Sequence, residues 1–447
     1  MQDNIPSHEL PSFTRYVNRV FHFRRRLADL RDGRQDPDIS PRSVFLATFH
    51  GFLFRLRSFK ELEADLREPQ LRDWIEAERS FGDDVLRYSL SSFALEPLEQ
   101  VLVAINRRLQ RNKAFDPGRV QGRRVAALDG TEILASYRRC CQDCLQRRVR
   151  TQDRQGGPEI ERIQYYHRVV GCQMVHSPVK PFLALEWVRP GEGEDTAALR
   201  LLKRLPELYG SRFFDILLLD SLYVQRPLLE LAQEVGWDVV ITLKQENRNL
   251  YQDAWGLFQA RGPDHQFSHQ QGGTTTQVEL WDEDGFPFSE DYAQSMRVVR
   301  SEELVTQQHY RQGELQPETT AHVWMWITTL ATKVFSTRLI HDLGHLRWKN
   351  ENNGWNDLTQ NWALTHGFLH ACRHRPKLRS GSKPRPPVPN HGLAAVTLIL
   401  CICFALFSSF ALLHSKLFRQ RRLSLREISR QLYRSLLRLH PPIRAPD

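Results

Sequence analysis

Three acidic residues have a local setting suited to holding metal ions: Asp129, Asp220 and Glu351. Asp129 closes the apolar run in RRVAALDG, and Asp220 closes the more strongly apolar FFDILLLD. Both runs read as strands, so both acids sit where a strand leaves a sheet, the edge at which open α/β sheets keep their chemistry. Glu351 falls in STRLIHDLGHLRWKNENNGWNDL, where apolar residues recur at helical spacing. Three carboxylates brought close together repel one another unless cations lie between them. Hard divalent ions such as Mg²⁺ or Mn²⁺ take oxygen ligands and suit such a set. Two such ions, about 3.5 to 4 Å apart, can clamp the attacking and leaving oxygens of a phosphodiester. One turns a water or a DNA 3′ hydroxyl into a nucleophile, and the other stabilises the departing oxyanion. A single acid at a strand end is weak evidence, and Asp129-Gly130 alone reads as a turn. The weight comes from strand order and acid placement agreeing.

The elements that must position these residues divide the chain into five stretches. Residues 1–118 read as helical and basic, with arginines gathered at Arg24, Arg25 and Arg26 and again at Arg107, Arg108 and Arg111. This stretch is expected to be a helical, DNA-binding domain. Ser40-Pro41 predicts a helix N-cap followed by Pro at the first position. Residues 119–243 predict strand, strand, strand, helix, strand, helix, strand, the second helix ending at Gly236. Residues 244–335 read as short strands with polar turns, an all-β insertion. Residues 336–416 return to helical periodicity and carry Glu351, a Pro-rich basic linker at 380–390 and the uncharged run GLAAVTLILCICFALFSSFALL at 392–413. That run is long enough to cross a membrane, but a helix buried in a large core is the preferred reading. Residues 417–447 predict a basic amphipathic helix able to lie on DNA or on an acidic surface.

The 447 residues carry a formal charge of +10, and only 10 of the 62 basic residues are Lys. Arginine's planar fork matches paired phosphate oxygens, so the composition points to a polyanionic partner, unless it reflects Arg-rich codon usage alone. The seven cysteines, an odd number without the spacing of a secreted disulfide framework, fit a reducing cytoplasm. No basic run followed by an apolar stretch opens the chain, so no signal peptide is expected.

With these residues in view, the chain resembles the DDE transposases of bacterial insertion sequences. The resemblance rests on LDGTE at 128–132, LLLDSLY at 217–223 with WDVVITLK downstream, and RWKNENNGWNDL at 347–358 followed by NWALTHGF at 361–368. It covers roughly residues 120–415, and the three motifs come in order, the acids 91 and 131 residues apart. The closest branch has a β-strand insertion between the second Asp and the Glu. The resemblance implies a ribonuclease-H-like α/β catalytic core with an all-β insertion, an α-helical N-terminal domain and C-terminal helices. It implies that Asp129, Asp220 and Glu351 bind two Mg²⁺ or Mn²⁺ ions, and that Arg347 and Asn352 contact DNA phosphate. The family's Glu helix also carries a Tyr and a Lys, whose positions here are Gly344 and Leu358. Trp348 could stack on a base or simply pack. The implied partners are terminal inverted repeats and target DNA, in a homodimer in the bacterial nucleoid, with no membrane.

Cys141-x-x-Cys144, with His167 following, has half of a zinc-site pattern. A structural Zn²⁺ on Cys141, Cys144 and His167 needs a further ligand, for which His176, Cys140 and Cys172 are candidates. His366 and His370, expected four apart on a helix, read as surface or core histidines. Two other functions stay open at this point: a metal-dependent nuclease without strand transfer, and a non-enzymatic basic protein, either an inactive DNA binder or membrane-anchored through 392–413.

Overall fold

The computed structural model describes residues 9–151, 159–244, 248–311, 314–350, 354–366, 368–370, 391–414, 418 and 423–439. Helices come first: α1 (Glu9–Phe21), α2 (Phe23–Arg26), α3 (Pro41–Leu53), α4 (Phe59–Asp65), α5 (Pro69–Trp74), α6 (Asp83–Ser91) and α7 (Leu95–Arg111). Then come β1 (Val125–Ser136), β2 (Leu145–Thr151), β3 (Ile160–Met174), β4 (Phe182–Trp187), α8 (Glu194–Tyr209), β5 (Ile216–Leu219), α9 (Arg226–Val235) and β6 (Asp238–Thr242). The next stretch holds α10 (Asn249–Gln259), β7 (His265–Gln271), β8 (Thr274–Pro287), β9 (Ser295–Arg311) and β10 (Glu314–Thr328). Helices α11 (Thr337–Asn350), α12 (Asn356–Trp362), α13 (Gly392–Ser409) and α14 (Leu425–Leu437) close the chain. These elements form two compact units, one of residues 1–117, 130–197 and 353–447, the other of 118–129 and 198–352.

The first unit is organised around α13. Every residue of this helix but Ala394 is buried, and it packs against α3, α6, α7 and β4. A helix apolar on all sides has no face to offer water, so it becomes the centre of a helical core. Its one buried threonine, Thr397, returns its hydroxyl to the Leu393 carbonyl at 2.8 Å. The apolar run at 392–413 is thus a core element, although by length and composition it also meets the test for a membrane span. The Ser40-Pro41 signal acts as read, Ser40 accepting from the Ser43 amide with Pro41 at the first position of α3, and the structure adds a capping box of Ser424 with Glu427 on α14.

In the second unit the first residues of β1 pair in parallel with β5, and β5 pairs in parallel with β6. In the first unit β3 pairs antiparallel with both β2 and β4. The antiparallel β2-β3-β4 group of the first unit and the parallel β1-β5-β6 group of the second are each what a ribonuclease-H-like core contains. Beyond β6 the second unit continues as an antiparallel run, β10, β9, β8 and β7, which is the expected β insertion.

Four details differ from the sequence reading. Strand β1 does not stop at Asp129-Gly130 but runs on to Ser136, so this pair is extended rather than a turn. Strand β2 is an additional strand, basic and largely exposed, with too few apolar residues to announce itself. The stretch expected to be all β opens with α10, whose buried Leu250, Ala254 and Phe258 recur every four residues among strand-prone aromatics. His366 and His370 are not on a helix, because α12 ends at Trp362 and Ala363 takes a left-handed conformation at φ 55°.

Helix α11 is the element on which the site depends. Ile340, Leu343 and Leu346 are buried, and the helix packs on β5, β6 and β10. Its first residue, Thr337, donates to Asp282 at 2.6 Å, and Asp282 is held by the buried Arg297 through Nε at 2.8 Å. Gly344, at the position where the resemblance leads one to expect Tyr, has a specific reason to be small. A Cβ built there would overlap the indole of Trp326, which is buried on β10. Replacing Gly344 with Ala should therefore destabilise the protein by about 1–3 kcal/mol, the usual cost of forcing extra atoms into a packed core. Chemical denaturation of Gly344→Ala against the parent checks this, and an unchanged midpoint would show that the helix has room to move away.

Candidate active site

The acids are brought together by strand register. Val125, Ala126 and Ala127 of β1 lie opposite Ile216, Leu217 and Leu218 of β5, an offset of 91 residues. Asp129 and Asp220 are separated by the same 91 residues. The ladder itself ends at Ala127 and Leu218, and its register continued by two residues would pair Asp129 with Asp220. The residues that fix this register, Val125–Leu128 and Ile216–Leu219, are all buried, so a slip would expose an entire apolar set.

Arg347 on α11 reaches both acids. Its Nη1 lies 4.0 Å from Asp129 Oδ2 and its Nη2 lies 3.8 Å from Asp220 Oδ1, with the arginine side chain only 4% exposed. These are ion-pair distances, too long for hydrogen bonds. Accordingly, Asp220 Oδ1 and Arg347 Nε are buried without a hydrogen-bond partner among the described residues. A second cation, Lys244 just past β6, lies with Nζ 3.4 Å from Asp220 Oδ1. Lys244 also sits over the ring of Trp348 at 5.5 Å, and Trp348 meets Trp324 edge-on at 5.7 Å. Glu351 and Asn352 lie outside the described residues; α11 ends at Asn350, one residue before the glutamate. Leu358, at the family's Lys position, is fully buried in the first unit and presents no charge. The sequence reading missed Lys244, whose signal is a lysine two residues beyond the strand that adjoins the Asp220 strand.

One further cluster on α11 was also missed. Glu303 of β9 accepts hydrogen bonds through Oε1 from His341 Nε2 at 3.1 Å, His345 Nε2 at 2.7 Å and the Ser301 hydroxyl at 2.8 Å. His341 Nδ1 faces Asp342 at 3.2 Å. Burial alone would raise the Glu303 carboxyl, but the hydrogen bonds from the two histidines and the serine outweigh it and hold the group below the usual carboxylate range. Burial alone would likewise lower His341, but its bonds to Asp342 and Glu303 raise it above the usual imidazole value. The available signal was the His-x-x-x-His spacing, which puts both rings on one helix face.

In the first unit, Cys141, Cys144 and His167 do converge, and they are joined by His370 rather than by Cys140, Cys172 or His176. His176 is exposed in a turn, and Cys172 is buried inside β3.

A ribonuclease-H-like core with two acids side by side on its adjacent parallel strands defines the class of protein. Residues 121–355, more than half of the chain, match the Transposase DDE domain family, and the chain belongs to that family. No curated protein matches it. Among solved structures the chain is similar to a piggyBac transposase, in a cryo-EM structure of its synaptic complex with hairpin DNA. The TM-score is 0.39 and the identity 11%, over 96% of this chain and 80% of that one, a likeness too weak to define a site.

The Glu303 cluster sets a pH dependence. A depressed carboxyl stabilises the fold above its unfolded value, about 4.3, and loses that contribution as pH falls through its lower folded value. A raised imidazole stabilises below its unfolded value, about 6.5, and loses that contribution as pH rises through its higher folded value. The combined contribution is therefore largest between about pH 4.3 and 6.5. Glu303→Gln should lower stability in that window by about 1–3 kcal/mol and flatten the profile. Denaturation midpoints at pH 5, 6 and 8 report it, and parallel profiles for the two proteins would rule the cluster out as the source.

Proposed function

We propose that this chain is the transposase of a bacterial insertion sequence, cutting and rejoining DNA at the ends of its element with divalent metal held by Asp129, Asp220 and Glu351. The observation that supports this reading is the buried Arg347, whose guanidinium lies 4.0 Å from Asp129 and 3.8 Å from Asp220, in keeping with the 91-residue offset of the β1–β5 register. The donor set fits the metal: hard carboxylate oxygens, one of them the buried Asp220 Oδ1 that has no hydrogen bond. When bound, a pair of Mg²⁺ or Mn²⁺ ions supplies Lewis acidity at the attacking and leaving oxygens of a phosphodiester.

The chain's own residues do the positioning. Asp129 and Asp220 come from strands whose register cannot slip, so their spacing is set before DNA arrives. Arg347 offsets the repulsion between them in the free protein. Its paired N–H donors would also suit a DNA phosphate oxygen beside the site, a geometry the guanidinium matches. Lys244 takes the phosphate-contacting role that Leu358 does not fill, and Trp348 beside it offers an aromatic face. Asn352, next to the glutamate, adds a further phosphate contact.

DNA ends are gripped by the helical N-terminal residues. Arg26 is held below its usual value by burial and then by the nearby charges of Arg111, Arg108 and Arg25. Arg25, Arg26, Arg108 and Arg111 are thus close enough for their charges to act on one another, a grouping that suits a polyanion such as the terminal inverted repeats. Two copies assemble around paired ends in the nucleoid and join them to target DNA.

Asp129→Ala, Asp220→Ala and Glu351→Ala should each slow cleavage of end DNA in Mg²⁺ at least about a thousandfold, the equivalent of about 4 kcal/mol of barrier. Binding of the uncut ends should remain. A folded Asp220→Ala protein that still cuts would remove that residue from the site. Arg347→Ala should reduce joining to target DNA by about one to two orders of magnitude, the effect of losing a charge-assisted contact of about 1.5–3 kcal/mol. Single-turnover joining assays measure it; ends that are cut but never joined by the unaltered protein would support the nuclease reading.

A further inference from the structure

The cluster of Cys141, Cys144, His167 and His370 has the dimensions of an ion's coordination shell. Cys141 Sγ and Cys144 Sγ are 3.6 Å apart, and His167 Nε2 is 3.3 Å from each sulfur. His370 Nε2 is 3.2 Å from Cys144 Sγ, and all four atoms lie within 4.8 Å of one another. Zinc bonds of about 2.3 Å to sulfur and about 2.05 Å to nitrogen give a tetrahedron with edges of about 3.8 Å between sulfurs and about 3.6 Å between sulfur and nitrogen. The observed separations match these edges within a few tenths of an ångström. The sulfurs are much too far apart for a disulfide, whose bond is about 2.05 Å, and both cysteines are free.

The backbone is arranged for the same purpose. The Cys141 amide donates to Cys144 Sγ at 3.2 Å, which offsets charge on a thiolate. Cys144, His167 and His370 are buried and Cys141 is half-buried. A cavity of about 360 Å³, lined by Cys141, His167 and His370 among others, leads to the cluster and gives an ion a way in. Two sulfurs and two imidazoles in a near-tetrahedral set favour zinc over the hard ions expected at the carboxylates.

We propose that Cys141, Cys144, His167 and His370 bind one structural zinc ion, closed by four protein ligands. On binding, the two thiols release two protons, the sulfur lone pairs and the two imidazole Nε2 lone pairs bond to Zn²⁺, and no redox change occurs. The ion joins the hairpin of β2 and β3 to the segment that follows α12. At the end of α12 Ala363 turns the chain, and the Leu364 amide donates to the Leu358 carbonyl. Zinc thereby fixes where this segment returns. The inference does not depend on the role of the acids.

The full-length protein, purified without chelator, should contain about one zinc per chain by mass spectrometry of the metal. Asp129→Ala should keep it, and Cys144→Ser and His370→Ala should lose at least about four-fifths of it. If those variants fail to fold, the unaltered protein gives the answer: exchange with Co²⁺ should produce the visible bands of a tetrahedral sulfur-ligated ion, and His167→Cys should retain them with a shift. A folded parent chain with less than about a tenth of a zinc after growth in added zinc, or a Co²⁺ form with octahedral bands only, overturns the proposal.

Discussion

Two acids, Asp129 within β1 and Asp220 just past β5, both within ion-pair reach of Arg347, set the terms for the rest of the second unit. The pairing of β1 with β5 is dictated by apolar residues that are fully buried, and the acids follow from it with no freedom of their own. Such a pair is electrostatically costly in a half-buried setting unless positive charge is supplied. In this chain that charge comes from Arg347 and Lys244, one from a helix lying on the sheet and one from the end of the neighbouring strand. Register creates the site, and the cations make it tolerable.

Helix α11 must then be placed within about an ångström, since Arg347 answers to two acids at once. Its N-terminus is tied through Thr337 to the Asp282–Arg297 pair, its middle is set by contact of Gly344 with Trp326, and its flank is locked by two histidines on Glu303. The departure from the family pattern at Gly344 is therefore matched by a large residue across from it. Gly344 and Trp326 form one packing arrangement, in which the ring occupies the space a side chain would need.

Much of this was legible without coordinates. The runs VAAL and ILLL announced buried parallel strands, and the acids that close them could be paired by order alone. Ser40-Pro41 and Gly236 marked helix ends through local chemistry that needs no tertiary context. What escaped was whatever depends on distant partners. His370 looked like an ordinary histidine because its cysteines are more than 220 residues away. Lys244 gained meaning only from its neighbour strand, and α10 was hidden by strand-prone aromatics such as Tyr251 and Trp255, whose helical spacing shows only against the sheet they cover.

The central helix of the first unit has a consequence for how the protein is made. Its partners α3, α6 and α7 emerge from the ribosome some three hundred residues before α13 does. Until then they lack the apolar surface that completes them, so this unit can finish folding only once α13 has been made. Contacts so distant in sequence close slowly. The helix that closes them is an uncharged stretch long and apolar enough to cross a membrane.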